Sequence, residues 1–148
     1  MTDAGIPALL DFPLSWRWTQ ESHAVLPANI LATIHPLTKP EADALTGQAQ
    51  ALWALDASAR TSRFAALADD HGKVQRALAA LSIAPTTSVV VYWSTGLAVR
   101  TLWSTFTAFW DDFCYPSSDD VVVWPDLGSW ALHYDHDDWF SFWRQAVV

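Results

Sequence analysis

The stretch "TTSVVVYW", from Thr86 to Trp93, lies between Pro85 and the turn signal "STG" at 94–96. Short β-branched and aromatic runs with such borders read as buried strands, because stiff, branched side chains fill a pleated surface well. A strand of this kind needs ladder partners and cover for its side chains. Both are expected downstream. Leu102, Trp103, Phe106, Phe109, Trp110 and Phe113 recur at three- and four-residue steps, with Arg100, Thr101, Ser104, Thr105, Ala108, Asp111 and Asp112 on the other face. That pattern predicts a helix packed on the sheet. "VVVW" (Val121 to Trp124) and "SWALHY" (Ser129 to Tyr134), joined through Pro125-Asp126-Leu127-Gly128, predict an antiparallel hairpin. A closing helix is expected from about His136, where Trp139, Phe140, Phe142, Trp143, Ala146 and Val147 form a broad apolar arc.

Upstream, Pro7, Pro13, Pro27, Pro36 and Pro40 keep the first forty residues irregular or extended, with "SWRWT" (Ser15 to Thr19) alternating like a short strand. Thr38 stands three residues before Glu41 with Pro40 between them, a capping box that opens an alanine- and leucine-rich helix running to about Ala59. A second helical stretch covers Arg63 to Leu81 and breaks at "DDHG", Asp69 to Gly72. The expected fold is one α+β domain over 1–148, with a wrapping arm at 1–37 and a core at 38–148. A helical first half precedes β-α-β-β-α, and a small, mostly antiparallel sheet packs against aromatic-rich helices.

Ten tryptophans, seven phenylalanines and three tyrosines in 148 residues supply ample core area, at about 150–250 Å² each. Neither disulfide nor cofactor is needed for stability. Cys114 is the only cysteine, which excludes an internal disulfide and multi-cysteine zinc sites and favours a reducing compartment. Its place at a helix end among acids raises a thiol pKa and predicts an inert side chain. The N-terminus lacks a basic n-region, and no uncharged apolar run reaches the roughly 18–20 residues of a membrane span. The cytoplasm is the expected location.

A net charge of −8 argues against nucleic-acid and anionic-membrane partners. Residues 1–100 carry a net −1, whereas 101–148 hold eight aspartates and only Arg144, a net of −7. Asp111, Asp112, Asp119, Asp120 and Asp126 are therefore candidates for an acidic rim that docks a basic partner. In "HYDHDD", Asp135 suits a helix N-cap and Asp137 and Asp138 its first turn. The competing reading is a metal held by His133, Asp135, His136 and Asp137. Ser94 lacks the glycine that a nucleophile elbow needs at position 92, and Ser94 or Thr95 serves better as a helix cap. Trp103, Trp110, Trp139 and Trp143 fall on periodic core positions, leaving Trp16, Trp18, Trp53, Trp93, Trp124 and Trp130 less settled. Trp16 and Trp18, flanking Arg17, offer an aromatic pair for a sugar or other small ligand, or for packing the arm onto the domain.

"WRWTQES" at Trp16 to Ser22, Leu26-Pro27, "IHPLT" at Ile34 to Thr38, a capped helix with Trp53, and "VVVYW" leading into "RTLWSTFTAFWDDF" resemble a family of small uncharacterised proteins of Gram-negative bacteria, domain of unknown function 2947. The resemblance covers most of the chain through aromatic, proline and threonine positions. It implies a single α+β domain and brings no catalytic residues. The residues thus favour a non-enzymatic protein-interaction module, of immunity or regulatory type. Alternatives are a metal-dependent hydrolase using the His133–Asp137 cluster and a small-ligand or carbohydrate binder using Trp16, Arg17 and Trp18. Surplus tryptophan also suits a homodimer face.

Overall fold

A computed structural model of the chain describes residues 9–66, 68–94 and 96–144. Its strands are β1 (Ala24–Val25), β2 (His35–Pro36), β3 (Ser62–Ala65), β4 (Ser88–Trp93), β5 (Ala98–Leu102), β6 (Val121–Pro125), β7 (Ala131–Asp135) and β8 (Trp139–Trp143). The helices are α1 (Trp16–Thr19), α2 (Ala28–Leu31), α3 (Lys39–Ala44), α4 (Thr46–Trp53), α5 (His71–Ala79), α6 (Trp103–Ala108) and α7 (Trp110–Phe113). All strands but β1 form one seven-stranded sheet in the order β2-β5-β4-β6-β7-β8-β3, antiparallel at every step. The chain is thus α+β, and the sheet is larger than the small one expected.

The valine run is a strand buried on both faces. Val89, Val91 and Trp93 of β4 turn to one side with Val121, Val123, Leu132, Phe140 and Phe142, beneath Trp18, Trp103, Phe106, Trp110 and Phe113. Val90 and Tyr92 turn to the other with Val122, Trp124 and Ala131, beneath Ala42, Ala49 and Leu52 of α3 and α4. Three layers result, with the sheet in the middle.

That double burial explains the largest departures from the sequence reading. The expected closing helix is strand β8, paired with β7 from Ala131↔Trp143 to Asp135↔Trp139. A strand covered on both faces shows no alternation of polar and apolar residues, so its apolar run imitates a helical arc. Ala146 and Val147 lie outside the described residues. Asp135 caps the hairpin turn instead of a helix: its Oδ1 accepts from Asp137 N at 2.9 Å and Trp139 N at 3.3 Å. Asp138 adopts φ 66°, and its carboxylate accepts from Ser117 N, Ser117 Oγ and the Tyr134 hydroxyl.

The start of the second predicted helix, Arg63 to Ala65, belongs to β3, and the helix itself begins only at His71. Arg100 and Thr101 belong to β5, and the aromatic helix divides at Phe109 into α6 and α7. Ser94 stands in the β4–β5 turn, not at a helix N-cap, and Thr95 lies outside the described residues. The order after Pro85 is therefore β-β-α-α-β-β-β. The Thr38–Glu41 capping box forms, but its helix is split at Leu45. The β6–β7 hairpin forms with Val121 opposite Tyr134.

"SWRWT" is helical rather than extended, so Trp16 and Trp18 do not share a strand face. The arm is latched by a buried arginine. Arg17 donates through Nη1 to Asp119 Oδ2 at 2.6 Å and through Nη2 to Oδ1 at 3.2 Å, with its guanidinium near the Trp16 and Tyr115 rings. Trp18, fully buried, donates to Asp112 O at 3.0 Å.

Removing one partner of a buried pair leaves the other charge uncompensated. Arg17→Met is expected to lower unfolding free energy by about 3–5 kcal/mol, and adding Asp119→Asn to recover part of it. Urea denaturation of the three proteins measures this; a loss below about 1 kcal/mol would mark the pair as an ordinary surface ion pair.

Candidate functional site

Helix α4 presents Thr46, Ala49, Gln50 and Trp53 at three- and four-residue steps, one stripe facing the sheet. Opposite stand Tyr92 of β4 and Val122 of β6, with Ser94 and Asp120 at the strand ends. Together these residues enclose a cavity of about 330 Å³, within the range of ligand pockets. Ala49 and Val122 form its apolar floor. The Thr46 and Tyr92 hydroxyls hydrogen-bond each other at 2.8 Å.

Asp120 supplies the charge. Its Oδ1 accepts from His136 N at 3.1 Å and lies 3.0 Å from His136 Nδ1. Its Oδ2 has no hydrogen-bond partner among the described residues. The Asp120 hydrogen bond and charge raise the His136 pKa. Trp53, 39% exposed, forms the wall. Behind it His133 is sandwiched between the Trp53 and Trp143 rings, at centroid distances of 4.8 and 4.4 Å. Burial lowers the His133 pKa to about 4, opposed by the Leu52 carbonyl. His133 is thus neutral at pH 7, and its buried Nε2 has no hydrogen-bond partner among the described residues.

The structure distributes the five candidate rim aspartates among separate partners. Asp119 holds Arg17, and Asp120 holds His136. Asp111 Oδ1 lies 3.2 Å from His71 Nε2, and Asp112 Oδ1 lies 3.1 Å from His23 Nε2 without hydrogen-bond geometry. Burial and the adjacent Asp111 raise the Asp112 pKa. Asp126 accepts from Arg100 Nε at 2.9 Å and Ser88 Oγ at 2.6 Å. Asp120 and Asp126 flank opposite ends of β6, about 20 Å apart along an extended chain, so Asp126 does not join the other four in one rim.

The His-Asp run is likewise separated. His133 lies buried on the α4 face, Asp135 caps the turn, His136 turns to Asp120 and Asp137 is exposed. Among the described residues, no three His, Cys, Asp or Glu side chains are placed to hold a metal ion. The arm aromatics form no open platform: Trp18 and Arg17 are buried, and Trp16 packs on His23 and Tyr115. Burial raises the Cys114 thiol pKa, with Asp119 adding to it. Among the described residues, no helix is long and apolar enough to cross a membrane.

Sequence reasoning identified Asp120 but missed Thr46, Gln50 and Tyr92 as its companions. The available signal was the stripe on α4 in which Thr46 and Gln50 flank Ala49 and which ends in Trp53. No family model, curated protein or solved structure matches the chain.

His133 makes stability pH-dependent. The unfolded chain protonates this imidazole near pH 6.5 and the folded chain only near 4, so its stabilising contribution is complete above the former and is lost as pH falls toward the latter. Over that interval the native protein is expected to lose about 3 kcal/mol more than His133→Phe. Urea unfolding at both pH values measures the difference; equal losses would show that His133 titrates normally.

Proposed function

We propose that the chain is a non-enzymatic protein-interaction module that receives a basic side chain of its partner in the cavity beside α4. The observation that carries this reading is Asp120, whose Oδ2 has no hydrogen-bond partner among the described residues, on the wall of a cavity bordered by the Trp53 and Tyr92 rings. A guanidinium or ammonium group gains a carboxylate and an aromatic face there, an arrangement favourable to cations. Thr46, Gln50 and Ser94 add hydrogen-bonding groups. The net charge of −8 attracts a basic partner over distance and raises its association rate.

The reading needs no catalytic step and confines docking to one end of β6. It also assigns Asp111, Asp112 and Asp119 mainly to the arm and to α5, where their partners are found.

An arginine hexapeptide tests the site by calorimetric titration at low salt. Asp120→Asn is expected to weaken binding at least tenfold, about 1.4 kcal/mol, while Asp126→Asn at the far end of β6 changes it less than twofold. Equal weakening by both variants would assign the binding to net charge alone, and no binding to either the native protein or the variants would remove the cavity as a cation site.

A further inference from the structure

Among the described residues the sheet ends at β3, and no strand pairs with its outer edge. Ala66 N donates to Asp138 O at 2.8 Å, and β3 pairs with β8 in the register Phe64↔Phe140. In an antiparallel ladder the direction of the backbone groups alternates, so residues 62, 64 and 66 face β8. The N–H and C=O of Arg63 and Ala65 therefore face outward, and both residues are exposed.

Cations without an ion-pair carboxylate are concentrated around this edge, interspersed with the exposed Asp69 and Asp70. Eight Lys and Arg residues occur in the sequence. Arg17, Lys39 and Arg100 are paired with carboxylates. Arg60, Arg63, Lys73, Arg76 and Arg144 have no carboxylate within ion-pair distance among the described residues, and all five belong to β3 or to elements beside it. Arg63 lies over the Trp139 ring at 4.0 Å, and Arg60 reaches Ser141 Oγ at 3.3 Å. Arg144, next to β8, donates from its backbone to Thr61 Oγ1 at 2.9 Å and from its side chain to Leu81 O. Lys73 and Arg76 are on α5, which packs against the opposite sheet face through Val74 and Leu78.

Between the edge and α5 lies a cavity of about 230 Å³ lined by Phe64, Ala65, Val74 and Ala77, with Asp70 and Lys73 also bordering it. An open strand edge, an adjoining apolar cavity and unpaired cations are the elements of recognition by strand addition. We propose that β3 takes up an extended, acidic segment of a partner protein as an eighth strand of the sheet. Backbone groups of the segment bond Arg63 and Ala65. Its side chains alternate between the two sheet faces, with apolar ones entering the cavity and acidic ones meeting Arg63 and Arg60.

An extended peptide is favoured over nucleic acid because the edge offers backbone amides and an apolar cavity, which a peptide strand matches with its own backbone groups and alternating side chains. A second copy is a poorer occupant, since pairing two β3 edges would bring the Arg60 and Arg63 side chains of one copy against those of the other, and like charges across an edge are destabilising.

An acetylated, amidated heptapeptide of alternating glutamate and valine is the probe, titrated into full-length protein at low salt. It is expected to bind, to protect the Arg63 and Ala65 amides from hydrogen exchange, and to lose at least tenfold in affinity with Arg63→Glu. Ala65→Pro removes one outward N–H at an edge position, where proline is tolerated, and is expected to weaken binding at least tenfold with the circular dichroism spectrum unchanged. The lysine-valine counterpart is expected not to bind. Should Ala65→Pro fail to fold, exchange protection in the native protein decides. Absence of binding, binding without protection of these two amides, or equal binding of single-stranded DNA and the acidic peptide would each overturn the proposal.

Discussion

Two neighbouring strands with no solvent side organise this molecule. β4 and β6 are apolar on both faces, so either face left open would expose valine and tryptophan to water at about 25 cal/mol per Å². The rest of the chain answers that requirement. α3 and α4 cover one face; α5, α6, α7 and the arm cover the other. Most of these helices are too short to be stable alone, and they persist because their apolar stripes are buried. The arm is therefore a structural layer, and Arg17 is the point at which it is held: its guanidinium joins α1 to the loop after α7 across a sequence separation of 102 residues.

The same economy governs charge. Acidic residues concentrated in the last third of the sequence find basic partners from the first two thirds, because the sheet brings those regions together. Asp119 meets Arg17, Asp111 meets His71 and Asp126 meets Arg100. What looks like a single acidic surface in the linear sequence is in space a set of local pairs. Among the described residues the remaining charge is distributed differently: Asp120 Oδ2 has no hydrogen-bond partner at one end of β6, and cations without an ion-pair carboxylate gather around β3. Linear charge density indicated the total but could not indicate which charges were paired.

The elements legible in sequence were those with local signatures. The Thr38–Glu41 capping box, the valine strand and the β6–β7 hairpin each depend on neighbouring residues, and each formed. β3 and β8 were not legible. "SRFA" has too few residues for a periodic signal, and "WFSFW" is apolar on both faces, so its pattern carries no period of two. Both are strands because they pair with each other and with β7, contacts that no local pattern encodes. The cavity beside α4 was hidden for the same reason. Trp53 and Asp120 are visible singly, but Tyr92 and Thr46 join them only after the helix is laid on the sheet.

The β7–β8 hairpin supports both proposed surfaces. His133 backs Trp53 on the cavity side, and its cross-strand neighbour Ser141 receives Arg60 at the open edge. At the hairpin turn, His136 holds Asp120. Common support is not the same as communication. Coupling between sites requires an element with two alternative arrangements that each ligand biases, and strands packed tightly on both faces have one. β8 is buried from Phe140 to Trp143 and paired on both sides, so it fixes the cavity and the edge in place without linking their occupancy. The hairpin accordingly supports the two proposed surfaces as separate sites, one presenting Asp120 and the other the Arg60 and Arg63 side chains.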